Sequence, residues 1–168
     1  MKDRFFYITV VVFLVTLLVT GFLYYRLSQV SVIEYDNQFI DTRNEIIIQI
    51  DTLSNTLNNA EEVEIIDTEI NSLSEKYSSM EEIYSSTREP NTNGEEIIAA
   101  NKAFLEKTQE IINTAEAYKQ SFSDDNVDPV EKMNEYNQKV EQLNTIIEEI
   151  KRIIEEYDSN PLANLFRF

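Results

Sequence analysis

Apolar residues recur along most of the chain at alternating intervals of three and four positions. This spacing places apolar side chains on one face of a helix, and such faces are buried when helices pack together. We therefore predict one helix in each of residues 30–57, 60–88, 95–122 and 129–157. Because the four segments have nearly equal lengths, about 42 Å each as helices, the pattern favours an all-α, antiparallel (up-down-up-down) four-helix bundle.

The apolar stripe of each segment, called its seam below, predicts the core of the bundle. Asn37 and Asn44 interrupt the first seam, and Asn101 and Thr108 lie on or beside the third. We expect these polar residues to fix helix register more than to bind a ligand, because a polar group at a core position specifies helix pairing at some cost in stability. The predicted seams consist of Val30, Ile33, Ile40, Ile47, Ile50, Leu53 and Leu57; of Val63, Ile66, Ile70, Leu73, Tyr77, Met80 and Tyr84; of Ile97, Phe104, Thr108, Ile111, Ala115, Tyr118 and Phe122; and of Met133, Tyr136, Val140, Leu143, Ile147, Ile150, Ile154 and Tyr157.

The breaks between the segments contain helix start and turn signals. Asn59, with Glu62 three residues later, predicts a capping box at the start of the second helix. Asp128 followed by Pro129 predicts an N-cap and a first helical residue for the fourth helix. Residues 90–94, Pro-Asn-Thr-Asn-Gly, form the strongest turn signal in the chain, so we expect the second and third helices to be separate.

The break between the first two segments is the least marked, because Asn58 and Asn59 lie there without Gly or Pro. The alternative is therefore a three-helix arrangement in which the first two segments are one continuous helix. The seam changes phase between Leu57 and Val63, which are six residues apart where an unbroken alternation would return after seven. Such a slip is compatible with a turn and also with a local irregularity inside one helix.

An uncharged run precedes these segments: residues 5–25 contain 21 residues without a charged side chain. At about 1.5 Å per residue, a helix of this length reaches roughly 31 Å, the thickness of the hydrocarbon core of a bilayer. We therefore predict a single N-terminal transmembrane helix. The aromatic and basic residues expected at the two membrane surfaces are Phe5, Phe6, Tyr7, Phe22, Tyr24, Tyr25 and Arg26.

Lys2 and Arg4 precede this predicted span, so the positive-inside rule favours a cytoplasmic N-terminus at residues 1–4 and an extracytoplasmic helical domain at residues 26–157. The alternative is a cleaved signal peptide, for which residues 19–21, Val-Thr-Gly, would supply the cleavage site. The apolar run is longer than the core of a typical signal peptide, about 7–15 residues, and continues past that site. We therefore expect a retained anchor in the cell membrane.

Net charge limits the partners of the domain. The chain has 14 Lys and Arg against 31 Asp and Glu, a net charge of −17 at pH 7. Nucleic-acid binding needs clustered basic residues, and here the basic residues are scattered among acids, so we expect no nucleic-acid partner. An anionic lipid surface would also repel the acidic domain, which leaves the N-terminal helix as the expected contact with the membrane.

Residue types limit the chemistry in the same way. The chain has no Cys and no His, so most nucleophile–base pairs and most transition-metal sites are excluded. Residues 124–128 and Glu135 match the acidic spacing of a calcium-binding loop in part, but Pro129 stands where that loop needs Gly, and we interpret the stretch as a helix cap. Adjacent acids such as Glu148 and Glu149 do not face each other on a helix. We predict no enzymatic activity, no cofactor and no metal.

The last residues, 158–168, form a short apolar tail. In a four-helix arrangement that starts at the membrane, the fourth helix returns to the membrane, so the tail would emerge beside the bilayer surface. We expect it to dock on the bilayer or on the base of the bundle, with a dedicated partner protein as the alternative. The residues expected to dock are Leu162, Leu165, Phe166 and Phe168.

Two functional hypotheses follow. The first is a non-catalytic, membrane-anchored helical interaction or scaffold module, acting as a subunit or modulator of a cell-envelope assembly through another envelope protein or through self-association. The alternative is an extracytoplasmic, ligand-sensing four-helix bundle that passes its signal to a partner protein. The second hypothesis rests on an analogy of fold alone.

Overall fold

The computed structural model describes residues 12–22, 31–59, 62–90, 94–123 and 128–159. All regular secondary structure in these ranges is helical, which confirms the predicted all-α class. The helices are α1 (residues 12–22), α2 (Val32–Asn37), α3 (Ile40–Asn58), α4 (Val63–Ser86), α5 (Glu95–Ser121) and α6 (Pro129–Ser159).

Helices α3 to α6 pack as an antiparallel bundle, and cross-helix bonds give the direction of each neighbouring pair. Between α3 and α4 and between α5 and α6, residue numbers rise on one helix as they fall on the next, which is the signature of antiparallel packing. The single bond between α4 and α5 joins the start of α4 to the end of α5, as antiparallel packing requires. The bonds between α5 and α6 show this most clearly, because they extend from the middle of α5 to its N-terminus. The pairs are Glu45–Lys76 and Gln49–Glu69 between α3 and α4, Asp67–Lys119 between α4 and α5, and Glu110–Lys139, Lys107–Gln142 and Glu96–Arg152 between α5 and α6.

The three-helix alternative is wrong, because α3 and α4 are separate helices that pack side by side. Helix α3 ends at Asn58, and the extended backbone of Glu62, with φ −59° and ψ 141°, prevents a continuous helix. The predicted capping box is also wrong. Asn59 terminates α3 instead, donating its backbone N–H to the Asn55 carbonyl at 3.1 Å, and Glu62 makes no side-chain cap bond.

The first predicted segment is divided into two helices. Helix α2 begins with a capping box, in which Ser31 Oγ accepts from the Glu34 backbone N–H at 3.1 Å and Glu34 Oε2 accepts from the Ser31 N–H at 3.0 Å. The division follows at Gln38 and Phe39, where the Phe39 ring is fully buried between Tyr35 and Tyr84, at centroid distances of 5.0 and 6.2 Å. Packing of this ring therefore accompanies the break.

The first half of the predicted first seam is only partly correct. Ile33 and Ile47 are half-buried as predicted, but Ile40 is exposed, as are Asn37 and Asn44, and Val30 lies outside the described residues. The fully buried positions of this region are instead Val32, Tyr35, Phe39 and Ile46, and the predicted seam is buried at Ile50, Leu53 and Leu57. The other three seams are buried or half-buried as predicted, with the exception of their end residues Val63 and Phe122, which are exposed.

The remaining turn and cap signals are confirmed. Helix α4 ends before Pro90, and Gly94 precedes α5; a Cβ atom on Gly94 would overlap the Pro90 ring, so this close approach requires glycine. At the start of α6, Asp128 Oδ1 accepts from the Val130 N–H at 2.8 Å, and Pro129 is the first helical residue. Both signals are local, which is why the sequence alone identified them.

In the described part of the chain, no helix is both long enough and apolar enough to span a membrane. The predicted span of residues 5–25 is described only over residues 12–22, which are helical. Of the predicted surface anchors, Phe22 falls in this range and is exposed. Outside the described residues lie the anchors Phe5, Phe6, Tyr7, Tyr24, Tyr25 and Arg26 and the tail residues Leu162, Leu165, Phe166 and Phe168.

Candidate functional sites in the bundle

A buried polar cluster joins α2, α3 and α5. Arg43 on α3 holds Asp36 of α2 in a two-pronged ion pair, with Nη1–Oδ1 at 2.9 Å and Nη2–Oδ2 at 2.8 Å. Arg43 Nη1 also donates to Asn101 Oδ1 on α5 at 3.0 Å, and Asn101 Nδ2 donates to Asp36 Oδ1 at 3.3 Å. All three residues are buried, so the cluster connects the short helix α2 to the bundle from inside.

This cluster is closed on itself chemically. Asn101 Nδ2 makes a further bond to the Ile97 carbonyl at 3.1 Å, and the planar Arg43 guanidinium matches the Asp36 carboxylate with two parallel bonds. Among the described residues, no buried side-chain nitrogen or oxygen lacks a hydrogen-bond partner. The polar atoms of the cluster are already used in bonds within the bundle. The cluster therefore has a structural role, holding α2, α3 and α5 together, and is called the lock below.

Only part of the predicted set of register residues lies in the core. Asn101 bonds across three helices, as a residue that fixes register does. Thr108 is buried as well, but its Oγ1 donates to the Phe104 carbonyl of its own helix at 2.8 Å. Asn37 and Asn44 are exposed and do not contribute to the core.

Asp36 and Arg43 were not predicted as core residues from the sequence. Charged residues usually face solvent, so neither residue was expected in the core. The sequence contains one weak signal for the pair. Asp36 and Arg43 are seven positions apart, which is two turns of a helix, and Phe39 lies on the same side. The third member, Asn101, is 58 residues beyond Arg43. No local pattern could have shown that the three side chains meet.

A second buried polar group lies between α3 and α6. The Tyr136 hydroxyl is 3.0 Å from Ser54 Oγ and 3.3 Å from the Ile50 carbonyl, and Ser54 Oγ donates to the same carbonyl at 2.7 Å. Burial raises the pKa of Tyr136 to about 12, because the phenolate would be poorly solvated; the nearby Asp51 charge acts in the same direction, and the bond to Ser54 opposes it. Burial also raises the pKa of Tyr35.

We expect alkaline solution to destabilise the bundle through Tyr136. The unfolded chain ionises this group near pH 10, whereas the folded protein holds the proton until about pH 12. Protonated Tyr136 therefore makes its full contribution to the free energy of unfolding below pH 10, and this contribution is lost as the pH rises through 12. The contribution is on the order of 3 kcal/mol. Urea unfolding followed by circular dichroism across this pH range measures the loss.

The matched variant is Tyr136→Phe, which keeps the ring and removes the titrating hydroxyl. We expect it to cost about 1 kcal/mol at neutral pH, the contribution of one hydrogen bond, and to flatten the decline between pH 10 and 12. Because Tyr35 also titrates, part of the decline should persist. An identical pH profile for the native chain and Tyr136→Phe would contradict this assignment.

An open groove runs between α3 and α6 and has a volume of about 400 Å³. Such a volume is sufficient for a small ligand, but most ligand sites are more enclosed and more apolar. Its walls mix charged, amide and aliphatic side chains: Arg43, Asn44, Ile47, Asn144, Ile147, Glu148, Ile150 and Lys151. These side chains match a small polar molecule better than an apolar one.

The acidic stretch before α6 acts as a cap in its described part. Asp128 accepts from a backbone N–H, and Glu135 forms an ion pair with Lys132 at 2.8 Å. Residues 124–127 lie outside the described residues. In the ranges that are described, no group of His, Asp or Glu is placed to hold a metal ion.

Some of the adjacent acids on the helix surfaces form ion pairs with the next turn of their own helix. Glu148 binds Lys151 at 2.6 Å, and Glu149 binds Arg152 at 2.6 Å. Hydrogen bonding to Arg152 lowers the pKa of Glu149, and bonds to two lysines lower the pKa of Glu110. Acids held in the charged form on solvent-exposed faces are poorly suited to general acid catalysis, which needs a raised pKa.

Comparison of the chain with models of protein families, with curated proteins and with solved structures gave no match in any of the three. The function is therefore argued from the residues and their geometry.

Proposed function

We propose that this chain is a non-catalytic helical interaction module held at the cell membrane by residues 5–25, with its N-terminus cytoplasmic and its bundle outside. In this role it serves as a subunit, scaffold or modulator of a cell-envelope assembly. The proposal rests mainly on one observation, the run of 21 uncharged residues that precedes an acidic bundle. Transfer of such a run from oil to water is strongly unfavourable, so the bundle would stay near the bilayer.

The chemistry of the bundle supports a role in binding. Its buried polar residues, such as Asp36, Arg43 and Tyr136, are occupied by bonds to one another. Its surface acids are exposed, and many of them form ion pairs along the helices. A rigid bundle with satisfied interior groups offers its surfaces, and not a reactive pocket, to other molecules.

Fractionation of the full chain tests the anchor. We expect the unprocessed chain to remain in membranes washed with high salt and urea, and a variant with Leu14→Arg and Leu18→Asp to be released. Each charge near the middle of a span costs about 2.5–3.5 kcal/mol on insertion scales. The control is Leu14→Val with Leu18→Val, which keeps the run apolar and should stay in the membrane.

Two outcomes would overturn the anchor. One is recovery of the unprocessed chain in the soluble fraction without detergent or lipid. The other is a loss of about two kilodaltons in the intact mass, which would indicate a cleaved signal peptide. Protease added to the outside of intact cells reports orientation, because only an extracytoplasmic bundle would be degraded.

The groove between α3 and α6 favours ligand sensing as a second candidate function. Lys151 and Glu148 supply both signs of charge on its wall, and Asn44 and Asn144 supply amide groups, a combination that suits a small zwitterion such as a free amino acid. Thermal unfolding of the full chain with each of the common amino acids separates the two functions. A rise in melting temperature that Asn144→Leu abolishes would favour sensing, whereas crosslinking to one envelope protein without such a rise would favour the interaction module.

A further inference from the structure

The exposed apolar side chains of the bundle collect at one end. At this end, called the loop end below, α3 and α5 terminate and α4 and α6 begin. Six large apolar side chains of the described residues 31–159 are exposed, and four of them lie at the loop end: Val63 (45% exposed), Ile65 (39%), Phe122 (48%) and Val130 (67%). These four residues are the loop-end patch.

The patch continues the core of the bundle onto its surface. Val63 and Phe122 have the seam spacing of their helices, and the next seam residues inward, Ile66 and Tyr118, are buried. The Phe122 ring stacks edge-on against Tyr118 at a centroid distance of 5.1 Å. Covering these side chains with a protein partner would remove their apolar area from water, which is favourable.

The opposite end of the bundle is covered. There α2 contacts α3 and α6, and the side chains of Tyr35 and Phe39 are fully buried. Thr87, just after α4, donates to Gln38 at 3.2 Å, so the end of α4 is tied to the same region. In the described residues, no helix performs this covering role at the loop end.

Acids outnumber basic residues around the patch. Residues 54–59, 62–69, 114–123 and 128–136 contain eight acids and two lysines, a net charge of −6 in 33 of the 168 residues. This fifth of the chain therefore carries about a third of its net charge of −17.

Both lysines at the loop end are already paired. Lys119 lies 2.6 Å from Asp67 and 2.7 Å from Glu116, and Lys132 lies 2.8 Å from Glu135. The acids next to the patch residues, such as Glu62, Glu64 and Glu131, form no ion pair within 4.0 Å among the described residues. The rim of the patch therefore has a net negative charge, which its two lysines balance only in part.

We infer that the loop-end patch binds a basic amphipathic segment of a partner protein, in which apolar side chains are flanked by Lys or Arg. The apolar side chains cover the patch, and the flanking cations meet the acidic rim, an arrangement that gives both affinity and orientation. A second copy of this chain would bring two acidic rims together, and an anionic bilayer would be repelled by the same charges. This inference rests on the proposed interaction function, for which it names the surface and the chemistry of the partner.

Binding of a synthetic probe to the full chain in lipid nanodiscs tests the inference. The probe is an amphipathic helical peptide of Leu and Lys that carries a photoreactive group at its centre. We expect Val130→Ser to weaken binding about tenfold, the effect of losing one large buried apolar side chain. The matched control is Ile48→Ser, because Ile48 is 66% exposed but lies in the middle of α3.

A second pair of variants tests the rim. Glu64→Gln with Glu131→Gln should weaken binding and reduce its salt dependence, whereas Glu82→Gln with Glu155→Gln, at the opposite end, should leave both unchanged. Photocrosslinks should map to residues 62–66, 122–123 and 128–131. All four positions are exposed, so unaltered melting curves are expected for each variant.

Three results would overturn the inference: equal effects of the test and control variants, crosslinks spread over the bundle, or patch-dependent self-association in sedimentation experiments. The last result would assign the patch to a second copy. Membrane fractionation of the same chain is a separate measurement, which tests the anchor and not the patch. A chain that stays in the membrane but does not bind the probe refutes this inference alone, whereas a soluble full chain refutes the proposed anchor alone.

Discussion

Asp36→Ala should destabilise the bundle by about 3–5 kcal/mol, because it leaves the Arg43 guanidinium buried without a counter-charge. In the folded protein Arg43 makes two bonds to this carboxylate, and its remaining partner, Asn101, is neutral. A domain of this size is typically stable by about 5–15 kcal/mol, so the loss is a large share of the total. Urea unfolding followed by circular dichroism measures the change.

Two controls separate the buried charge from other effects. Asp36→Leu combined with Arg43→Met removes both charges and should be less destabilised than Asp36→Ala, although Asn101 loses a donor. Glu148→Ala removes the exposed partner of Lys151 and should cost between 0 and about 1 kcal/mol. If Asp36→Ala lowered the free energy of unfolding as little as Glu148→Ala does, the Asp36–Arg43 ion pair would be exposed to solvent in solution. The lock would then not be buried as described.

Phe39→Ala should also cost about 3–5 kcal/mol, the usual range for removal of a buried aromatic side chain. Its ring has no solvent exposure and contacts Tyr35 of α2 and Tyr84 of α4, so the variant loses packing among three helices. We expect α2 to lose its place on the bundle before the rest unfolds. Hydrogen exchange should then show faster exchange in residues 32–37 than in α5.

The control for Phe39→Ala is Ile48→Ala. Ile48 is a large apolar residue of α3 that is mostly exposed, so its removal should change the free energy of unfolding by less than about 0.5 kcal/mol. Equal losses for the two variants would mean that burial of the Phe39 ring does not account for the cost. Protected residues 32–37 in Phe39→Ala would show that other contacts are sufficient to hold α2.

Much of the fold could be predicted because its information is local. The seams of α4 and α6 are uninterrupted, and that of α5 is interrupted only by the polar residues Asn101 and Thr108. Asp128, Pro129 and Gly94 mark helix boundaries through short-range chemistry that any chain would share. Antiparallel order then follows from the short connections, which make consecutive helices neighbours.

The division between α2 and α3 could not be predicted in this way. Gln38 and Phe39 include no Gly or Pro, and both have backbone angles close to helical values, with φ and ψ of −73° and −18° for Gln38. The position is determined by where the Phe39 ring is buried, which involves Tyr84, 45 residues further along the chain. A tertiary contact therefore shifted the seam and brought Arg43 to the interior in place of Asn44.

The residues of the candidate sites also differ in whether the sequence alone could predict them. Asn101 was recognised because an amide on a seam is conspicuous, whereas its partners Asp36 and Arg43 were not, since pairing across α2, α3 and α5 leaves no trace in a single stretch of sequence. Val63 and Phe122 have the correct spacing for core residues, but the helices end before another element covers them. Periodicity predicts which face is apolar and not how far the core extends.

The position of α2 also has a mechanical consequence. The chain enters the bundle through α2, and α2 contacts α6, the helix through which the chain leaves. Tension applied to the polypeptide on the N-terminal side of Ser31 would therefore act on α2 first, and the Arg43–Asp36 bonds and the Phe39 ring would bear that force before α4 and α5 did. We therefore expect the short helix to yield first under pulling, while the bundle behind it keeps its shape.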